Sequence, residues 1–395
     1  MSFKASDYVI FIFCNLIVLG FLMFRSKDRS YQQKELITLG LLWIIHFIFS
    51  FVFAFYILNN GGDSWRYWTI TADSSQYANT WMDYFGISTF FIQWLNYIPF
   101  KVLKLSYLSG SMLYGLLSYA GIVLVFESLR YFIHQHKNAL NYQNLLFVPL
   151  FLPGLHFWTA GVSKESLLFL GLSMMFYNLS KAKSTPYLAV VGWALCLLIR
   201  PLIGFVLLPI LIYQLVVFLR KRDFVLGFRV LLILVLLLFK AGQHFLTYLH
   251  INEMTWESLR QIGNKQLSFL AEFDSNTMLP INEMNFLERI LAVFFRPYIW
   301  ESWDFYSLIF ALENTWLILI MGFAIAYSWE KAVQIPLSIK YYAIIAFGMF
   351  LIFTFTLNNM GLYYRMKAIW LPFWHITFLW LICAASPRLK TTSLL

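Results

Sequence analysis

Apolar residues recur along the whole 395-residue chain in runs about as long as a lipid hydrocarbon core is thick, with short polar joints between them. The runs at 8–24, 36–58, 108–133, 202–219, 224–239, 306–329, 341–357 and 368–383 each predict a helix across the roughly 30 Å of acyl chain. Three others, 144–158, 167–179 and 187–199, are near or below that length and predict spans that are tilted or extended by polar ends. The pattern as a whole predicts an all-α, polytopic helical membrane protein with about eleven transmembrane helices, forming one domain over 1–395.

The joints set an orientation. Arg25, Lys27, Arg29 and Lys34 follow the first run rather than precede it, and no small-residue cleavage site ends that run. It is expected to stay as a helix with its N-terminus outside, because basic residues collect on the cytoplasmic side. The basic joints at 134–137, 181–183, 220–222 and 331–340 then fall inside, and so does the C-terminus with Arg388 and Lys390. Two joints expected on the outer face are long, 59–107 and 241–304. The first contains an amphipathic, aromatic-rich stretch at 87–105 that suits the membrane interface. The second contains helical stretches near 256–273 and 285–295, and both segments are expected to cap a cavity.

Composition narrows the classes. Hydrophobic residues make up 60% of the chain and aromatics 20%, well beyond what a soluble core requires. The net charge of +10 does not point to nucleic acid, since the cations are spread between spans instead of forming a patch. Cys14, Cys196 and Cys383 each lie inside an apolar run and read as small core residues without metal-ligand spacing. There is no Walker loop, dinucleotide-binding glycine motif or HExxH pair, so ATP hydrolysis, redox cofactor chemistry and zinc proteolysis lose support. No cofactor is expected beyond a divalent metal that Asp63 could hold.

Five groups of ionisable residues stand out at predicted outer span ends. Gly61-Gly62-Asp63 turns the chain out of the second span and sets Arg66 and Tyr67 one helical turn beyond Asp63, a carboxylate suited to accept a hydroxyl proton. Between two short spans, Ser163 is placed to cap a helix that opens with Lys164 and Glu165, with His156 close before it. A cation at a helix N-terminus opposes the dipole, and an anion bound there with it would remove the conflict. Arg200 precedes Pro201 in a hairpin too short to carry it away from the membrane surface. Arg296 precedes Pro297 with Trp300 and Glu301 following, a fork able to clamp phosphate beside a carboxylate that could orient it or act as a base. Arg365 and Lys367 open the last span on the side where cations are disfavoured. Each group also has a plainer reading as a capped turn, an interfacial ion pair or a lipid anchor.

Cations from separate outer joints, with a few carboxylates and many aromatics, suit a polyprenyl-linked glycan. Its pyrophosphate would meet Arg200, Arg296, Arg365, Lys164, Lys367 and Arg66; its sugars would meet Tyr67, His156 and Trp300; its tail would lie among membrane lipid. Glycosyl transfer is the reaction that fits, with Asp63, or Glu301 or Glu165 in its place, as the base.

Three stretches carry a resemblance: Gly-Asp-Ser-x-x-Tyr at Gly62 to Tyr67, the turn Phe157-Trp158-Thr159-Ala160-Gly161-Val162-Ser163-Lys164-Glu165, and Arg-Pro-x-x-Trp-Glu at Arg296 to Glu301. Their order and spacing cover most of the chain and resemble bacterial multispanning proteins grouped with polysaccharide polymerases and GT-C-type glycosyltransferases. The resemblance implies a GT-C-like fold in the bacterial inner membrane and a catalytic acid in the first outer loop, which falls on Asp63. The usual paired acid is missing, for Ser64 and Trp65 follow. Outer-loop arginines of Wzy-type polymerases bind the lipid pyrophosphate, which by role implies Arg200, Arg296 and Arg365. The rival expectations are a transporter or flippase of lipid-linked glycans, which should carry polar groups near mid-membrane, and a structural subunit of an envelope assembly. The sequence fixes no oligomeric state.

Overall fold

The computed structural model describes residues 3–72, 78–136, 140–180, 186–219, 278–280, 283–302, 304–331 and 333–386, with a few isolated positions between 228 and 236. Among these residues the chain is helical without strands, as the run pattern predicts. It is a membrane-embedded all-α protein: six described helices are long and apolar enough to cross a bilayer, or seven if one bent pair is a single span. The difference from eleven has local causes. The stretch at 144–158 is a 3-10 turn, Gln143–Phe151, followed by a seven-residue helix, and 167–179 and 187–199 form helices of 17 and 13 residues. The run at 224–239 and most of the outer segment 241–304 lie outside the described residues.

The chain divides into two compact units, Met1–Phe126 with Leu155–Asp223, and Glu127–Gly154 with Phe224–Leu395. The first contains helices α1 (Ala5–Ser26), α2 (Gln33–Asn60), α3 (Asp63–Trp68), α4 (Thr89–Tyr97) and most of α5 (Tyr107–Gln135). It continues with most of α6 (Pro153–Thr159), then α7 (Lys164–Ser180), α8 (Tyr187–Ile199) and α9 (Pro201–Leu219). On α1, Val9, Ile12, Leu16 and Met23 are exposed apolar side chains, as expected of a span that meets lipid. Its other face is tied down: Trp43 Nε1 of α2 donates to Asn15 Oδ1 at 3.0 Å, and the buried Asp7 accepts from the Ser106 and Ser109 hydroxyls.

In lipid, helices associate through close packing more than through the hydrophobic effect, so small residues mark their contacts. A Cβ on Gly171 of α7 would lie 2.7 Å from the Gly192 carbonyl oxygen and 2.8 Å from Cys196 Sγ on α8. The two backbones are therefore nearly in contact, and Trp193 Nε1 joins α8 to α9 by donating to Gly204 O at 2.8 Å. Proline makes the break between α8 and α9: Pro201 has no N–H to continue the ladder, and Arg200 is left extended at the joint.

The second unit contains the 3-10 turn, α10 (Phe286–Phe295), α11 (Phe305–Ser328), α12 (Leu337–Thr356), α13 (Met360–Lys367) and α14 (Leu371–Ala385). Asn285 caps α10 by accepting from Glu288 N at 3.0 Å, and Asp304 caps α11 by accepting from Ser307 N at 2.7 Å. The helices α13 and α14 meet at 61°, where Pro372 removes a ladder donor.

Candidate functional site

In the first unit, separate segments meet where α2 ends. Gly61 and Gly62 have φ of 77° and 136°, values that L side chains rarely adopt, and they turn the chain from α2 into α3. Asp63 starts α3 and is exposed, as is Arg66 one turn on. Ser64, beside Asp63, is buried; it contacts the Tyr107 hydroxyl at 2.6 Å and donates to the Val162 carbonyl. That bond ties α3 to the turn before α7. Tyr67 OH donates to Asp63 Oδ2 at 3.4 Å, while the Tyr67 carbonyl accepts from Asn96 Nδ2 of α4 at 3.1 Å.

Lys164 reaches the same place from α7. Its Nζ lies 5.1 Å from the centre of the Tyr67 ring and donates to Ser88 Oγ at 3.0 Å and Thr89 Oγ1 at 2.9 Å. Ser163 caps α7 as its sequence predicts, accepting from Ser166 N at 3.1 Å. Ser88 in turn donates its backbone N–H to Leu198 O at 2.6 Å, two residues before Arg200. Arg200 Nη2 donates to Glu165 Oε1 at 2.9 Å; the carboxylate is fully buried while the arginine side chain is 31% exposed. Within this unit the structure thus links Asp63, Tyr67 and Lys164 to one another, and Glu165 to Arg200.

His156 differs from its expected place beside the substrate. It is fully buried on α6, its Nδ1 2.9 Å from Nδ1 of His46, with the Phe49 ring stacked on it. His46 Nε2 lies 2.7 Å from Ser118 Oγ, whose hydroxyl can donate to the carbonyl of Tyr114 or of Gly115, each at 3.1 Å. With both rings neutral, Ser118 accepts from His46 Nε2, which leaves His46 Nδ1 to accept from His156 Nδ1–H. His156 is a core group here, because its helix turns the ring inward against α2.

In the second unit Lys367 points into the protein rather than to an open surface. The residue is 1% exposed, and its three N–H donors go to Phe294 O at 3.3 Å, Arg296 O at 2.9 Å and Asn314 Oδ1 at 3.1 Å. An ammonium has three protons, so none is left for a substrate. Lys367 instead satisfies carbonyls at the C-terminal end of α10, the end where a cation is favoured. Beside it a cavity of about 10 Å³, room for about one water, is lined by Glu313, Asn314, Tyr364 and Lys367. Glu313 accepts from Gly154 N at 2.5 Å.

Arg296 has its fork on Glu301: Nε and Nη2 both donate to Oε1, at 2.8 and 2.5 Å, while Oε2 accepts from Tyr298 N at 3.0 Å. The hydrogen bond to Glu301 holds the Arg296 guanidinium above its ordinary pKa. The edge expected to clamp phosphate and the carboxylate expected to act as a base are engaged with each other in this conformation. Trp300 is 80% exposed and stacks on Tyr298 at 4.8 Å, and Arg365 is half-buried on α13.

Among the described residues no group of three or more His, Cys, Asp or Glu side chains is arranged to hold a metal ion. The chain matches no family model, no curated protein and no solved structure. Sequence reasoning missed Ser88 and Thr89 as partners of Lys164. The one available signal was a pair of hydroxyl residues opening the amphipathic stretch, and nothing in their own sequence neighbourhood names a lysine 75 residues away.

Proposed function

We propose that the chain is a glycosyltransferase or polysaccharide polymerase of the bacterial inner membrane, acting at the outer face on a sugar carried by polyprenyl phosphate or pyrophosphate. One observation carries this reading. Within a single unit, α3, the start of α4, the start of α7 and the α8–α9 joint bring a carboxylate, a lysine and an arginine onto adjoining segments at the end of a membrane helix. Asp63, exposed at that end, takes the proton of the acceptor hydroxyl as its oxygen bonds to the anomeric carbon. The bond from that carbon to the phosphate oxygen breaks, and its electron pair leaves with the lipid phosphate. Lys164 and Arg200 stabilise the charge that collects there. Tyr67 orients Asp63 through its hydroxyl and supports Lys164 with its ring.

A second reading, a transporter or flippase for the same class of lipid-linked glycan, is favoured by the buried His46–His156–Ser118 chain, since His46 lies midway along α2. Purified protein in vesicles, supplied with a polyprenyl-pyrophosphate oligosaccharide, separates the two by chain growth or by movement of the glycan across the bilayer. The first reading expects Asp63→Asn to abolish chain growth while substrate binding persists. Full activity in that variant would remove Asp63 as the base.

A further inference from the structure

We infer that Glu165 is not a reserve base but a positioning residue, whose task is to aim Arg200 at the phosphate of the substrate. The inference rests on the function proposed above and adds a role to that site. Glu165 lies in the first turn of α7, immediately after Lys164, with its side chain fully buried. A base must reach the acceptor hydroxyl, and a carboxylate sealed in the core and bound to a guanidinium does not. Arg200 is the reverse case. It sits at a helix break, it is held by Glu165 through Nη2 alone at 2.9 Å, and its side chain stays partly exposed. One end of its fork is therefore fixed to the protein and Nε is buried, while the side chain as a whole keeps 31% exposure.

The scaffold around the pair is built for a fixed distance. The close backbone approach of Gly171 to Gly192 sets α7 against α8, and the Trp193 bond to Gly204 sets α8 against α9. Glu165 and Arg200 lie at the end of these packed pairs, so the carboxylate meets the guanidinium at a register that neither side chain chooses alone. Ser88 adds a cross-tie, receiving Lys164 Nζ on its hydroxyl and holding Leu198 O with its N–H. An arginine at a helix break has a long, rotatable side chain, and the ion pair removes part of that freedom before the substrate arrives. A buried carboxylate also offsets part of the local positive charge, so that Lys164 and Arg200 can sit on neighbouring segments.

The test uses full-length protein in nanodiscs, with undecaprenyl pyrophosphate titrated in and binding read by native mass spectrometry, beside turnover on a polyprenyl-pyrophosphate oligosaccharide. Glu165→Gln keeps the shape and removes the charge, and Glu165→Asp keeps the charge and withdraws it. Both are expected to weaken lipid binding by roughly tenfold or more and to raise KM more than they lower kcat. Arg200→Lys should do the same, and adding Glu165→Gln to it should cost little further. Where Glu165→Gln does not fold, Glu165→Asp carries the same comparison. If Arg200→Lys weakens binding and the Glu165 variants do not, the positioning role is overturned while the proposed function stands. A loss of kcat at unchanged affinity would make Glu165 a base and also overturn it. If Arg200→Lys itself leaves binding and turnover intact, the proposed function fails with it.

Discussion

Lys367 Nζ donates to the carbonyl oxygen of Arg296 at 2.9 Å, so a lysine that the sequence offers to a substrate serves as a cap on the protein's own backbone. The same ammonium holds Phe294 O and Asn314 Oδ1, and it shares a small cavity with Glu313. Replacing it by methionine keeps much of the volume but leaves two carbonyls, an amide oxygen and a buried carboxylate short of a cation. Lys367→Met is expected to destabilise the protein by roughly 3–5 kcal/mol, seen as an earlier thermal transition in detergent or nanodiscs. An unchanged transition with weakened lipid binding would return Lys367 to the role its sequence suggests.

Gly171 and Gly192 are expected to be as sensitive as any charged residue. At either position a methyl group would press first on a backbone carbonyl oxygen across the α7–α8 contact, which cannot swing aside as the end of a side chain can. Gly171→Ala should cost roughly 1–3 kcal/mol in thermal unfolding. It should also weaken lipid binding, because the Glu165–Arg200 pair lies at the end of the same contact. Normal stability and binding in this variant would show that α7 and α8 can separate without consequence.

The range of the forces involved decides which features a sequence carries openly. Hydropathy is local, and it placed α1, α2, α5, α9, α11 and α12 as spans because each carries its own apolar run. Chemistry at the site is not local. Lys164 meets Ser88 and Thr89, and Glu165 meets Arg200 35 residues on, through packing that no run records. Proline and glycine were the legible exceptions: Arg200-Pro201 and Gly61-Gly62 mark a break and a turn in the sequence, and both are present in the structure. Positive charge at an expected outer end does not reveal the inward course of Lys367, since a cation can be drawn inward by carbonyls left over at the end of another helix.

Gly62 offers a direct check on the placement of Asp63. Its φ of 136° is open to glycine and strained for any other residue. Gly62→Ala is expected to cost roughly 1–3 kcal/mol or to re-aim the turn, and either effect moves Asp63. Turnover should fall by about tenfold or more, while binding of undecaprenyl pyrophosphate changes little. Equal losses in both would mean that the turn supports the phosphate site as well as the base.

Tyr67 separates two contributions that meet on one side chain. Its hydroxyl bonds Asp63 and its ring lies beneath Lys164. Tyr67→Phe removes only the 3.4 Å bond, a weak one by its length, and should lower turnover by a few-fold with lipid binding intact. Tyr67→Leu removes the ring as well and should weaken lipid binding through Lys164 by about 0.5–2 kcal/mol. Should the phenylalanine variant lose as much binding as the leucine variant, the link from Tyr67 to Lys164 would run through the hydroxyl and not the ring.

The buried pair of histidines distinguishes a core contact from a working group. His46 Nδ1 and His156 Nδ1 lie 2.9 Å apart, which with both rings neutral takes one shared proton, and the Ser118 hydroxyl contacts the other side of His46. Changing either histidine to leucine leaves a buried nitrogen without its partner, a loss of about 1–3 kcal/mol. Changing both removes the donor and the acceptor together, so the double variant should be more stable than the sum of the two losses predicts, by about 1 kcal/mol or more. Thermal unfolding of the wild type, both single variants and the double variant in nanodiscs measures this coupling. Turnover by the double variant then decides what the pair is for. Chain growth within a few-fold of wild type at a temperature where it is folded assigns the pair to packing. Loss of glycan movement across vesicles in the same folded variant would favour transport, because a polar chain midway along α2 is where a translocating protein needs one.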